Sequence, residues 1–177
     1  MRRSRSSSRT FKGSFMAEVP VVLWFMIFMM FFPLLDLMAV TIRTTFLFVA
    51  AHSAAIAASR ARSFSTSING YPTASTLAED AAQKVVDSFG GIAIDNVETA
   101  IVVTNVASKA VTRSTSPLTT PPDSISNTYQ IEVTLNGVIN PLIPYNSGFG
   151  NIPGLTQPIH LTVTDRRYAE NTQGLSV

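Results

Sequence analysis

The chain has 177 residues, of which 46% are hydrophobic and 14% are charged, and its net charge is +2. Soluble domains carry about 25% charged residues, so this chain has too few charges for an ordinary soluble domain. The low charge predicts an apolar segment that is buried in a membrane or in a polymer of protein subunits. This segment is expected to be attached to one small domain that folds in water. The apolar content excludes disorder throughout, and the absence of cysteine excludes disulfide bonds, thiol nucleophiles and cysteine-ligated metals.

The N-terminal segment is strongly basic. Residues 1–12 hold five basic and no acidic side chains, whereas the rest of the chain holds eight basic and eleven acidic ones. Because this stretch directly precedes an apolar run, the positive-inside rule predicts an N-terminus in the cytoplasm and a C-terminus outside it. No aromatic platform is interleaved with the arginines, so we expect no nucleic-acid binding.

The apolar run covers residues 19–42 and contains one charged residue, Asp36. About 20 helical residues cover a hydrocarbon core of about 30 Å, so the run is long enough to span a bilayer. Glu18 and Asp36 stand at its two ends, and ionisable groups at membrane depth tend to have a partner or a purpose. The alternative is that both acids lie at the membrane interfaces and only mark the ends of the span. Pro20 falls in the first helical turn, whereas Pro33 predicts a kink.

Helical character continues to about Ser63, because residues 43–63 are rich in alanine and serine and contain no glycine or proline. A helix from residue 17 to residue 63 would be about 70 Å long, so its outer half must leave the membrane. This outer half is predicted to be amphipathic. It places Phe46, Val49, Ser53, Ile56 and Arg60 among the small residues Ala51, Ala54, Ala55, Ala57 and Ala58. Small residues allow close approach of another surface, either the chain's own C-terminal domain or a neighbouring copy.

The sequence FKGSFMAE at residues 11–18 resembles the start of a type IV prepilin, with a basic leader that ends in Gly13 and a glutamate five residues later. The resemblance implies cleavage by a prepilin peptidase between Gly13 and Ser14, and docking of subunits through Glu18. A glutamate in an apolar environment is costly unless it is paired. The new amino terminus of an adjacent subunit would supply the pairing charge.

Two further features indicate which family of pilin-like proteins the chain resembles. Leu35-Asp36-Leu37, followed by AAHSAAIAASRARS at residues 50–63, is similar to the TadE-like family of tight-adherence pilus proteins. The order of extended strand, proline-rich loop and final strand at residues 129–170 agrees with that family in outline. The resemblance implies a minor pilin or pseudopilin, since the major tight-adherence pilins are much shorter chains.

Residues 64–177 are expected to form an exported α+β domain. A turn at Asn69-Gly70 precedes a helix that is predicted to begin with a capping box of Thr76 and Glu79 and to end at Gly90-Gly91. Alternation and β-branched residues predict strands at residues 97–106, 129–136 and 159–165. The economical fold is an antiparallel sheet of three or four strands, packed with the second helix on the long helix. Proline-rich residues 113–128 are expected to form an exposed, mobile loop.

The residues offer little support for catalysis. The chain has no zinc-protease, nucleophile-elbow, Walker A or dinucleotide-binding motif. His160 alternates with apolar neighbours and is predicted to face solvent, and the carboxylates of the C-terminal half lack metal-type spacing. We therefore expect no enzyme activity, cofactor, metal or small-molecule substrate.

Three hypotheses follow from the sequence. The leading one is a structural subunit of a tight-adherence pilus, a single-pass protein of the bacterial inner membrane. Its partners are a prepilin peptidase, other pilin-like subunits and the pilus assembly machinery. It divides the chain into a leader (residues 1–13), a membrane and assembly helix (14–42), an outer helix half (43–63) and the exported domain (64–177). The second is an uncleaved single-span protein that presents a binding or envelope-bridging domain. The third is a secreted binding or enzymatic domain that signal peptidase releases by cleavage near Ala58.

Overall fold

The computed structural model describes residues 14–143 and 151–177 and has an α+β architecture. In chain order the elements are α1 (Ser14–Ser59), α2 (Ala74–Asp87), β1 (Ile92–Asn105), β2 (Val111–Ser114), β3 (Asn127–Ile139), β4 (Ile159–Tyr168) and a short 3₁₀ helix (Thr172–Ser176). The predicted fold class is confirmed: a long N-terminal apolar helix and a second short helix accompany an antiparallel sheet.

The sheet has four antiparallel strands in the order β2-β1-β3-β4. β1 pairs with β3 along its whole length, with one register shift between Ile94 and Asn96. The three predicted strands are found, and each begins or ends beyond its predicted bounds. β2 was not predicted, and it pairs with residues 101–104 at the end of β1.

α1 ends at Ser59 and not at Ser63 as predicted. The helix tightens at its end, where the N–H groups of Arg60 and Ala61 donate to the carbonyl oxygens of Ala57 and Ala58. The predicted turn at Asn69-Gly70 is confirmed, since both residues have positive φ, 52° and 78°.

α2 begins earlier than the capping-box pattern predicts. Its N-cap is Thr73, whose hydroxyl accepts a hydrogen bond from the N–H of Thr76 at 3.3 Å. The predicted capping box of Thr76 and Glu79 is therefore wrong, because Thr76 is the residue that is capped. α2 ends at Asp87, and Gly91 lies beyond it with φ 84°.

The core lies between the two helices and one face of the sheet. α1 and α2 contribute mainly alanines, which allow the helices and the sheet to approach closely. The fully buried ones are Ala50, Ala51, Ala54, Ala55, Ala58, Ala74, Ala78 and Ala82. The surface that covers the alanines of α1 is thus the chain's own C-terminal domain, whereas Val49 of the predicted stripe is exposed.

The domain is attached along the outer half of α1. Asp36, in the middle of α1, accepts a hydrogen bond from the N–H of Ile143. Arg60 pairs with Glu170 at the far end of the helix. Three further contacts lie between them: Arg43 with Asn140, Leu47 with Gly137, and His52 with Asp165.

The loop between β2 and β3 is mostly exposed, as predicted, but hydrogen bonds hold it to the rest of the domain. The N–H of Leu118 donates to the carbonyl of Leu175 in the 3₁₀ helix at 2.8 Å, and Leu118 packs against the core. The N–H of Asp123 donates to the hydroxyl of Tyr129 at 2.8 Å. The mobility of the loop stays a prediction.

Candidate assembly surface

Residues 21–31 of α1 expose apolar side chains on all sides of the helix. Every residue from 21 to 31 is apolar, and each exposes at least 49% of its surface. Among the described residues, the helix Glu18–Ser59 is the one long and apolar enough to cross a membrane, and 6% of its most apolar window is buried inside the protein. Such low burial distinguishes it from the core helix of a soluble domain.

From residue 34 onwards the exposed apolar surface is confined to one side of α1, away from the buried alanines. We name this side the apolar face; it consists of Leu34, Leu37, Met38, Ile42, Phe48 and Val49, which are 44–61% exposed. Thr41 and Thr45 lie on the same side, because positions three and four apart share a helix face. Their hydroxyls donate to the carbonyl oxygens of Leu37 and Thr41, at 2.8 and 3.1 Å. These hydroxyls are satisfied within the helix, so the face stays apolar overall.

Two of the three predicted cleavage and docking residues, Ser14 and Glu18, lie in the first two turns of α1. Gly13 lies outside the described residues, and Ser14 is the residue at which α1 begins. Glu18 is exposed on the second turn of the helix. Asp36 is 18 residues further on, or about 27 Å along the helix axis, so the two acids do not form one site.

Asp36 is buried by the chain's own C-terminal domain, at 2% exposure. Its Oδ1 accepts the backbone N–H of Ile143 at 2.9 Å. Beside it lies a cavity of about 10 Å³, room for about one water, which is lined by Phe32, Pro33, Asp36, Ile143 and Leu155. Asp36 therefore has a structural partner, and its role is to hold the segment after β3 against the helix.

Arg43 is a positioning residue that the sequence analysis missed. Its Nε donates to the carbonyl of Gly90 at 3.1 Å, and its Nη1 donates to the carbonyl of Asn140 at 2.5 Å. It thus fixes the turn after α2 and the end of β3 to α1. The sequence shows only that Arg43 is the first basic residue after the apolar run.

The sheet face that points away from the helices carries an ion-pair cluster around the buried Glu132. Arg113 Nε and Arg166 Nε donate to its two carboxylate oxygens at 2.6 and 2.5 Å, and Arg113 also pairs with Glu98 at 2.6 Å. Burial raises the pKa of Glu132, but the hydrogen bonds from both arginines outweigh it and lower that pKa overall. The hydrogen bond to Glu132 is also the largest cause that raises the pKa of Arg113. The two arginines and two glutamates pair with one another, and they join all four strands of the sheet.

Both histidines lie at the surface beside one carboxylate each. His52 Nδ1 is 2.8 Å from Asp165, and the exposed His160 is 3.7 Å from Asp95, which confirms the solvent-facing position predicted for His160. Within residues 14–143 and 151–177, no group of three or more histidines and acids is arranged to hold a metal ion.

Comparison with known proteins identifies no family for this chain. No protein-family model matches it, and neither a curated protein nor a solved structure is significantly similar. The features of the chain that bear on its function are thus the sequence pattern at the N-terminus and the surface of α1.

Proposed function

We propose that the chain is a structural minor pilin or pseudopilin of a tight-adherence pilus system, similar to TadE-like proteins. α1 holds it in the bacterial inner membrane, with the N-terminus in the cytoplasm and the α+β domain outside. A prepilin peptidase removes residues 1–13, and Glu18 then pairs with the new amino terminus of an adjacent subunit. The protein works by packing and carries out no reaction.

The observation that carries this proposal is the length of the exposed apolar surface on α1. This surface extends over residues 19–49, which is about 45 Å of helix. The hydrocarbon core of a bilayer is about 30 Å thick and covers about two thirds of it. The remaining third includes Phe48 and Val49, and contiguous apolar surface of this kind outside a membrane marks a protein interface. Helices of neighbouring subunits have the matching shape and composition.

Cysteine cross-linking tests the assembly step, because the chain has no cysteine of its own. A Val49→Cys variant places one thiol on the apolar face, and a Gln83→Cys variant places one on the exposed side of α2 as a matched control. In cells that carry the pilus system, we expect oxidation to yield cross-linked dimers of the Val49→Cys variant and mainly monomers of the control. Equal cross-linking of the two variants would contradict assembly through α1.

N-terminal sequencing and intact mass test the processing step. The membrane-fraction protein is compared with and without a coexpressed prepilin peptidase, and we expect a new N-terminus at Ser14 only when the peptidase is present. An intact Met1 in the presence of a demonstrably active peptidase would favour the uncleaved single-span protein. A soluble product that begins near Ala58 would favour the secreted domain.

A further inference from the structure

We infer that the membrane-side end of the C-terminal domain is inserted into the lipid of the extracytoplasmic leaflet. Two segments form this end: residues 140–143 after β3 and residues 151–158 before β4, which together are named the membrane-side loops. Their exposed apolar side chains are Leu142, Ile143 and Ile152, at 51%, 37% and 46% exposure. The inference rests on the part of the proposed function in which α1 crosses a bilayer, and it is independent of cleavage and assembly.

The level of the loops along α1 places them below the surface of the bilayer. The N–H of Ile143 is bonded to Asp36, and Leu155 lines a cavity together with Phe32 and Pro33. If the span begins at Val19, residue 32 lies about 20 Å along it, whereas the hydrocarbon core is about 30 Å thick. About 20 residues are needed to cross the core, which places its far boundary near residue 38. The loops are therefore level with the last third of the hydrocarbon.

This part of the chain is uncharged, although Asn151 and Gln157 of the second loop are polar and exposed. Residues 133–164 include no aspartate, glutamate, lysine or arginine, although they include the whole connection from β3 to β4. Charged residues resume only at Glu132 and Asp165, further from the membrane along the two strands. A loop between two strands of a water-exposed domain has no need of so long an uncharged stretch.

Five backbone N–H groups of the second loop are bonded within the loop itself. A backbone N–H without a partner is costly in hydrocarbon, where no water can replace the missing bond. Inside residues 152–157, the N–H of Ile152 donates to the hydroxyl of Thr156, and four more donate to carbonyl oxygens of the same turn: those of Gly154, Leu155, Thr156 and Gln157. Pro153 and Pro158 have no N–H to satisfy. The proline-rich composition thus removes donors that lipid would leave unpaired.

The same reasoning gives Asp36 a purpose. An acid inside an apolar helix is expensive, yet this one accepts the N–H of Ile143 from the first membrane-side loop. Arg43 lies seven residues further along α1, or about 10 Å, and its guanidinium bonds carbonyl groups at the ends of the adjacent turns. Arg43 is thus placed at the lipid headgroups, with the loops on the hydrocarbon side of it.

Tryptophan fluorescence tests the inference, because the chain has one tryptophan, Trp24, which lies exposed on the proposed span. The full-length protein is reconstituted into phosphatidylcholine–phosphatidylglycerol vesicles whose acyl chains are brominated, and iodide serves as the aqueous quencher. In a Trp24→Phe background, the single tryptophan is moved to the loops as Leu142→Trp or as Ile152→Trp. Ile125→Trp is the matched control, since Ile125 is 92% exposed at the opposite end of the sheet.

We expect brominated lipid to quench both loop variants about as strongly as it quenches native Trp24, with emission shifted to shorter wavelength, and to leave the Ile125→Trp variant unquenched. Circular dichroism confirms that each variant is folded, and the two loop variants serve as independent tests. If iodide alone quenched the loop variants while brominated lipid still quenched native Trp24, the inference would be overturned and the proposed membrane span would stand. Protection from both quenchers would overturn it too, because protein and not lipid would then cover the loops. If native Trp24 itself escapes brominated lipid, the proposed span fails.

Discussion

Replacing Gly91 by alanine is expected to destabilise the C-terminal domain by about 2–4 kcal/mol. Gly91 has φ 84°, a conformation that costs an alanine about 1–2 kcal/mol. A Cβ at this position would also overlap the guanidinium group of Arg43. Moving that group weakens its hydrogen bonds to the carbonyls of Gly90 and Asn140, and hydrogen bonds of a charged group contribute about 1.5–3 kcal/mol each.

Gly90→Ala is the matched control, because a Cβ there meets no atom within 4 Å and the residue has no positive φ. We expect it to change the free energy of unfolding by less than about 0.5 kcal/mol. The assay is urea unfolding of the full chain in detergent micelles, read by pulse proteolysis. With a urea dependence of about 2 kcal/mol per molar, the Gly91→Ala midpoint falls by about 1–2 M.

An Arg43→Ala background separates the two contributions. There, Gly91→Ala has no side chain to displace, so its cost should fall to the backbone part of about 1–2 kcal/mol. Equal midpoints for Gly90→Ala and Gly91→Ala would refute the reasoning, as would a cost of Gly91→Ala that does not change when Arg43 is absent.

Two further predictions concern polar groups of the sheet. Thr99 is buried on β1, and its hydroxyl has no hydrogen-bond partner within residues 14–143 and 151–177. Thr99→Val should therefore stabilise the domain by about 1 kcal/mol and raise the urea midpoint. A lower midpoint would contradict this prediction. The lowered pKa of Glu132 means that its contribution to stability is present above the ordinary glutamate pKa of 4.5 and is lost as the pH falls through the lower folded-state value. Glu132→Gln should therefore lower the free energy of unfolding at neutral pH and reduce the further loss of stability as the pH falls. If the stability of the native protein and of the variant depended on pH in the same way, the ion-pair cluster would not contribute as described.

Most of the fold could be predicted because its signals are local. Seventeen uncharged residues before Asp36 indicate α1, and strict alternation indicates β3 and β4. β2 was not predicted because it has four residues and is mostly exposed, so its sequence shows no alternation of apolar and polar residues. The start of α2 was misplaced because Thr73 and Thr76 both suit an N-cap, and the choice depends on how the preceding chain packs.

The candidate site was less predictable because its partners are distant in sequence. Asp36 stood out as an isolated acid, but its partner Ile143 is 107 residues away, and nothing in the local sequence identifies that pairing. The alanines of residues 50–58 predicted a close approach, whereas which surface approached them depended on the complete sheet. Arg43 donates to two backbone carbonyl oxygens. Every residue has a backbone carbonyl, so the residue types in the sequence cannot show which carbonyls an arginine will bind.

The row of contacts along α1 has a mechanical consequence. Because the domain is fastened to the helix from Asp36 to Arg60, about 36 Å of its length, no hinge separates the two among these residues. A tilt of the helix therefore reorients the whole sheet. A force that pulls along the helix axis acts on all of these contacts in shear. The contacts then share the force and do not break one after another.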